Sequence, residues 1–434
     1  MKLEQYFSRI RPHVEGCPDA VIKEYRQVRI IRLINSISIT KNIGKRLVLK
    51  LLTITLSLSM SLSMPLSLAQ VRAASWADIE SRGREQTVYF YGWGGSPQVN
   101  DYVHWAGQEV KRRNNINLVH VKVGDISEAV TLILSEKSAG KNTGGRVDLL
   151  WVNGENFAAL KRADLLYGPF TDQLPNSELV NKRLPVNVDF STPVDGLEAP
   201  WGVGQLVMMF DSAVTPEVPA SAGELLQYAK KHPGKISYPQ PPQFHGVAFL
   251  KQLLSELVDD SRVLQKPVDA VDFKTVTAPL WNYLDQLHKV AWHNGRRFPQ
   301  SDREMMQLLD NRELHMAISF NPAEAAAAVK RGDLAPTVSS YAFRQGALTN
   351  IHFLAIPYNS NAKEGAQVVI NFLMSPEAQQ RKAELAVWGD PSILRPSLLQ
   401  VSPEATARFK AIPEPHFSWH GALTEAWLER YGHQ

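Results

Sequence analysis

Residues 148–168 read DLLWVNGENFAALKRADLLYG. An apolar run, Leu149 to Val152, stops at Asn153-Gly154, and apolar residues then recur at helical spacing from Phe157. The pattern predicts a strand over 147–152, a turn, and a helix over 155–164. Trp151 and Asn153 flank Val152 and so share one side of the strand if it extends that far. Asn156 lies one turn into the helix. The stretch sets an indole and two amides beside a helix amino terminus, and Asn153 equally suits the turn itself.

The same alternation continues on both sides. TVYFYGW (87–93) is a β-rich run stopping at Gly94-Gly95, followed by a helix over about 100–113. INLVHVKV (116–123) alternates as a strand, and ISEAVTLILSEKSAG (126–140) is an amphipathic helix closed by glycine. Strands and helices taking turns predict βαβ units on a largely parallel sheet. Beyond 191 the chain turns rich in Pro and Gly, then apolar (207–211). Helices follow at about 221–231, 246–258 and 275–293, with a strand expected after the first of them. A strand at 313–320, a short helix to Arg331, and a strand near 351–356 come next. A helix over 363–384, interrupted at Ser375-Pro376, closes the readable pattern.

Charge is segregated. Residues 1–69 hold eleven Lys+Arg and four Asp+Glu, whereas residues 70–434 hold 36 basic and 39 acidic residues. Without a basic tract the body carries no electrostatic footprint for nucleic acid. The basic excess fits an export signal over 41–73. Lys41, Lys45, Arg46 and Lys50 precede the apolar LLTITLSLSMSLSMPLSL (51–68), and cleavage fits after Ala69 or Ala73. Residues 1–40 are read as an unstructured upstream extension. The apolar run is short for a membrane span, rich in Ser and broken by Pro65. The only cysteine, Cys17, precedes the signal. The mature chain is therefore expected to be free of disulfides, thiolate metal sites and lipid anchors, and to reside as a soluble protein in the periplasm.

Four stretches in order carry a resemblance: VYFYGWGGS (88–96), DLLWVNGENFAALKRADLL (148–166), APWGVGQLVMMFD (199–211) and FLAIPYNSNAKEGAQVVINFLMSPEAQQ (353–380). The chain resembles the solute-binding components of ATP-driven importers, in the group whose members carry polyamines, thiamine, ferric iron or sugars. The resemblance covers about 85–395. It implies an α/β, two-lobed periplasmic-binding-protein-like fold (type II), with the ligand cleft between lobes joined by hinge crossings. Lobe one would use 84–198 and 321–374, and lobe two 204–318 and 377–434. It also implies a small solute, captured by lobe closure and delivered to an inner-membrane permease and its ATPase by a monomeric protein.

Candidate solute contacts follow from the ends of strands and from the crossings. They are Trp93, Gly94, Gly95 and Ser96 after the first strand, Asn153 and Asn156 in the opening stretch, and Trp201 in the first crossing. Phe320 and Asn321 belong to the second crossing, and Tyr238, with His245, faces the cleft from lobe two. Each has an alternative: a tight turn for 93–96, a plug between lobes for Trp201, surface for Asn156. Tryptophans suit a cationic or heteroaromatic solute, while no arginine stands ready for an anionic one. Iron would require neighbouring tyrosines, and SSYAF (339–343) offers Tyr341 alone. Scattered histidines lack metal-ligand spacing, no phosphate-binding loop or nucleophile elbow occurs, and no cofactor is expected. The alternative function is a periplasmic enzyme on the same scaffold, with Glu155 or Asp148 as acid or base.

Overall fold

The computed structural model describes residues 75–432; the segments read above as an upstream extension and an export signal, with the expected cleavage positions, and residues 433–434 lie outside them. The chain begins with helix α1 (Trp76–Gly83), whose Ser75 and Asp78 form a capping box. Strand β1 (Thr87–Trp93) leads into α2 (Pro97–Asn114), which Ser96 caps and Pro97 opens. Asn115 ends it in the left-handed region, after three basic residues in the last turn. Next come β2 (Asn117–Val123), α3 (Ser127–Ser138), β3 (Leu149–Val152) and α4 (Gly154–Arg162). β1 pairs in parallel with both β2 and β3. So far the sequence pattern is realised within two or three residues.

A short hairpin, β4 (Val188–Asp189) and β5 (Thr192–Pro193), precedes the long strand β6 (Glu198–Gln205). β7 (Val207–Asp211) then opens a second sheet. Helices α5 (Ala222–Lys231), α6 (Phe244–Leu257), α7 (Phe273–His288) and α8 (Asp302–Asp310) lead to β8 (Met316–Ser319), α9 (Glu324–Arg331) and β9 (Val338–Tyr341). β10 (Ala347–Ala355), α10 (Lys363–Leu373), α11 (Pro376–Ala383), β11 (Ala411–Pro413) and α12 (Ser418–Tyr431) complete the chain. The strand expected after α5 is absent: residues 232–243 form no strand, and Pro239, Pro241 and Pro242 would each remove a ladder donor.

The first sheet runs β11-β10-β3-β1-β2, with β6 on β10; the second is β8-β7-β9. The first is mixed, because β10 pairs antiparallel with both β3 and β6. Each sheet has its own apolar core. One gathers Phe90, Tyr102, Trp201, Phe353 and Trp388, and the other Met208, Phe249, Leu284, Ile318 and Trp427. A fold of two α/β lobes results.

The elements divide between the cores differently from the boundaries expected above. α9 and β9 sit with the second sheet, since β9 pairs with β7 and Ala325, Ala328 and Val338 join the second core. The chain returns along β10, between Leu348 in the second core and Ile351 in the first. α11 and the segment to Leu394 stay with the first core, through Ala378, Trp388 and Ile393, and Ile412 begins the final return. We take the lobes to follow these cores. A four-residue strand such as VSSY is too short to announce its partner from sequence.

Candidate functional site

The carboxyl ends of β1 and β3 hold the predicted aromatic and amide residues. Trp93 is the last residue of β1, and 37 % of its surface is exposed. Its indole lies flat on Gly95: a Cβ there would stand 2.4–2.8 Å from the ring, so only glycine lets the ring rest on the backbone. Gly94 binds back through its N–H to the Val123 carbonyl and accepts from Asn100 Nδ2 at 3.0 Å. Ser96 is occupied as the cap of α2.

Asn153 stands at the N-cap of α4 but makes no cap bond. Asp189 replaces it, accepting from Gly154 N at 2.5 Å. The Asn153 and Asn156 amides, both half-buried, make no hydrogen bond among the described residues. Half-buried Trp151 stands close by, edge-on to Trp201 at 5.0 Å and to His352 of β10 at 5.4 Å. His352 Nε2 is 3.3 Å from Asp390, whose other oxygen meets Lys382 at 2.5 Å. Burial raises the Asp390 carboxyl, but Lys382 and His352 outweigh it and hold it below the usual carboxylate range. Lys382 is wholly buried, with its pKa lowered by desolvation against the pull of Asp390. The pair is charged, and His352 is the member that reaches the surface.

The second lobe meets this group through Asn321, whose Nδ2 approaches the Trp388 carbonyl at 3.5 Å while Oδ1 receives Ala323 N. Phe320, largely buried, packs against Phe244 at 5.1 Å. Beside them His245 lies 3.8 Å from Asp302, and Glu324 has its pKa raised by burial, with Asp302 adding to the rise. Trp93, Asn153, Asn156, Trp151 and His352 thus belong to one side, and Asn321, Phe320, His245, Asp302 and Glu324 to the other.

Two predicted contacts are placed elsewhere. Trp201 has no exposed surface; it is a plug behind Trp151, surrounded by Phe90, Tyr102 and Trp388. Tyr238 is equally buried in the second core, bonded to His288 at 2.8 Å and receiving the Trp427 indole N–H. Burial pushes His288 down to about 4, so it sits there neutral. Tyr341, the iron candidate, donates to Met208 and Met316 sulfurs inside that core. Among the described residues no three His, Cys, Asp or Glu gather into a metal site, and no helix is long and apolar enough to cross a membrane.

The two carboxylates considered for catalysis differ. Asp148 is saturated: it accepts from Tyr89 N, Ser360 Oγ, Asn361 N and Ala362 N, pinning β1 to the start of α10. Glu155, half-exposed, lies 3.7 Å from His420 of α12. His352, Asp390 and Lys382 were not anticipated from sequence; the signal was a histidine inside the apolar strand NIHFLAI (350–356).

Comparison with known proteins gives three results. The family model for bacterial extracellular solute-binding proteins matches residues 105–412. Protein YnjB of Escherichia coli K12 is 45 % identical over 367 residues, 83 % of this chain and 95 % of that protein. Solved structures are similar in fold. The periplasmic binding protein AfuA of Actinobacillus pleuropneumoniae, with fructose-6-phosphate bound, matches at TM-score 0.57 and 14 % identity over 80 % of this chain and 99 % of its own. PotD of Streptococcus pneumoniae, a spermidine/putrescine ABC transporter substrate-binding protein, matches at 0.55 and 14 %, covering 80 % and 97 %. A ferric binding protein of Campylobacter jejuni matches at 0.58 and 13 %, covering 80 % and 98 %.

Proposed function

The chain belongs to the bacterial extracellular solute-binding proteins, and from that premise we propose that it is the periplasmic capture component of an ABC importer for a small cationic or heteroaromatic solute. Solute enters between the lobes, the lobes close, and the closed form docks on an inner-membrane permease driven by an ATPase. Closure requires only that solute bind the closed state better than the open one. Recognition makes and breaks no bond.

The observation that carries this reading is the set of unspent groups at the ends of β1 and β3. An exposed indole rests on a glycine, and two half-buried amides lack partners. Half-buried polar groups left unbonded are served by water or by a ligand. The exposed indole, with half-exposed Glu155 on the first turn of α4, favours positive charge, since a cation over an indole gains about 0.5–2 kcal/mol. Arg331, the arginine beside Glu324, is bound to Glu324 and Asp333.

Thermal unfolding of the exported protein, refolded to strip solute, tests the reading. The panel is spermidine, putrescine, thiamine, fructose 6-phosphate and ferric citrate. A ligand at 100 times its Kd adds about 2.7 kcal/mol, a shift of roughly 3–5 °C. A cationic member is expected to produce it, and Trp93→Ala to remove it without lowering the unliganded midpoint. A shift with fructose 6-phosphate or iron alone would replace the cationic class. Turnover of any panel member would favour the enzyme.

A further inference from the structure

The hairpin of β4 and β5 is a first-lobe element whose tip sits on the second lobe. Its two turn residues, Phe190 and Ser191, have φ of 44° and 67°. Two-residue hairpins need such values but normally take them with Gly, Asn or Asp. A phenylalanine held there marks a position that its surroundings over-determine. The Phe190 ring packs on the Gly154 backbone, where a Cβ would stand 3.3 Å from it. The Lys251 ammonium of α6 lies 4.5 Å from the ring centroid. The Phe190 carbonyl accepts from Phe417 N at 3.1 Å, and Ser191 Oγ donates to Gln265 at 2.9 Å. Lys251, Gln265 and Phe417 all belong to the second lobe.

Directly behind the tip lie two carboxyl groups with no surface to speak of. Asp189 is 1 % exposed and Glu198 0 %. Asp189 Oδ1 and both Glu198 oxygens have no hydrogen-bond partner among the described residues. Their neighbours do not neutralise them. Asp189 faces Glu155 of α4 and Glu414, with Lys251 as counter-charge, but Lys251 is bonded to Glu414 at 2.6 Å. Glu198 faces Asp189 and Lys161, and Lys161 is committed to the Pro193 carbonyl and to Asp195. His420 of α12 sits near Glu155 and Lys251, with burial lowering its pKa. Two adjacent buried carboxyl groups, short of a free cation, cannot both stay ionised. Burial first raises both well above the usual range; Glu155 and Glu414 add to the rise of Asp189 against the Gly154 N–H, and Asp189 adds to that of Glu198.

We propose that the Val188–Pro193 hairpin is a proton-dependent latch: Phe190 clasps the lobes together while a proton is shared between Asp189 and Glu198, and loss of that proton releases it. The sign follows from linkage. The closed form holds one proton more than the open form, in which both groups are hydrated. Closure is therefore firmest below the ordinary carboxylate pKa. It weakens as pH rises through the raised values, with the open-to-closed ratio growing about tenfold per pH unit. The latch biases the same lobe closure on which solute capture depends, but it requires no particular solute.

Inter-lobe distance tests this without ligand. The full chain, with Cys17→Ser and spin labels at Ser138→Cys on α3 and Ala278→Cys on α7, is measured by pulsed dipolar spectroscopy from pH 4 to 9. Both label positions are exposed. Wild type is expected to gain a longer-distance population as pH rises. Glu198→Gln, which keeps a neutral hydrogen-bonding group, stays closed across the range. Phe190→Ala is open throughout; Ser191→Ala, which removes only the bond to Gln265, shifts the transition towards lower pH and covers the case in which Phe190→Ala fails to fold. A distance distribution independent of pH overturns the latch. So does a Glu198→Gln protein that is open at every pH, because the group would then be needed as an anion. Infrared difference spectra give an independent reading: a protonated-carboxyl band that persists in wild type above the ordinary carboxylate range and is missing in Glu198→Gln is required.

Discussion

Replacing Lys382 with alanine lowers the stability of the protein by about 3–5 kcal/mol, the cost of leaving one member of a buried ion pair without the other. The ammonium is wholly buried and spends its three donors on the Trp201 carbonyl at 2.7 Å, Asp390 at 2.5 Å and the Pro391 carbonyl at 3.2 Å. It also lies 5.8 Å and 5.6 Å from the Trp201 and Trp388 ring centroids. Removal strands Asp390, which is 2 % exposed, with His352 as its remaining side-chain partner. Without Lys382, burial is free to raise the Asp390 carboxyl. A raised carboxyl contributes stability below its unfolded pKa of about 3.9 and loses it as pH climbs, so the defect in Lys382→Ala should shrink as pH falls towards 4. The double variant Lys382→Met with Asp390→Leu should cost much less than the two single changes added together, because no charge is then stranded. Denaturant midpoints for wild type, Lys382→Met, Asp390→Leu and the double variant measure the coupling. A loss below about 1 kcal/mol in Lys382→Ala would place the pair with exposed ion pairs and remove its structural role.

The parts of this molecule that were legible in sequence are those in which one face of an element is dry. β1, β2, α2, α3 and the β3-α4 unit alternate or repeat as their faces demand, and their limits were readable to a few residues. β6 is different. All eight of its residues, EAPWGVGQ, are buried, so no alternation is present to separate the side that faces a cleft from the side that faces the core. Gly202 and Gly204 beside Trp201 do not reveal its side either. They lie on one side of the strand, while Trp201 points to the other, into the aromatic core. Tyr238 misled for a related reason. A tyrosine among prolines was expected to face the cleft, yet its hydroxyl is satisfied by His288 and Trp427, fifty and 189 residues away. Nothing local foretells those partners. The same holds for Asp189, which caps a helix that starts 35 residues earlier. The placement of Trp93, Asn153 and Asn156 on their elements was legible because the setting is local: the last residue of a strand, or the start of the helix after it.

Trp201→Ala and Trp151→Ala should separate stability from recognition in opposite ways. Trp201 is fully buried and packs against four aromatic neighbours, Phe90, Tyr102, Trp151 and Trp388, and the Lys382 ammonium. Truncation there opens a cavity in the first core and is expected to cost about 3–5 kcal/mol. The cost also reaches Gln379 and Lys382, which both bond the Trp201 carbonyl, if the strand shifts to fill the gap. Trp151 stands in front, half-buried, with its rim towards His352. Its removal forfeits less packing, because part of its surface is already wet. For solute the order reverses. The fraction of Trp201→Ala that stays folded, measured at low temperature by calorimetric titration with the panel member that binds wild type, should keep an affinity within a few-fold. Trp151→Ala should lose roughly tenfold or more, in line with about 1.4 kcal/mol for an aromatic contact with a cation. The opposite pattern, in which Trp201→Ala abolishes binding while unfolding at the wild-type midpoint, would mean that the lobes open far enough to expose the first core to solute. The cleft would then reach one layer deeper than Trp151.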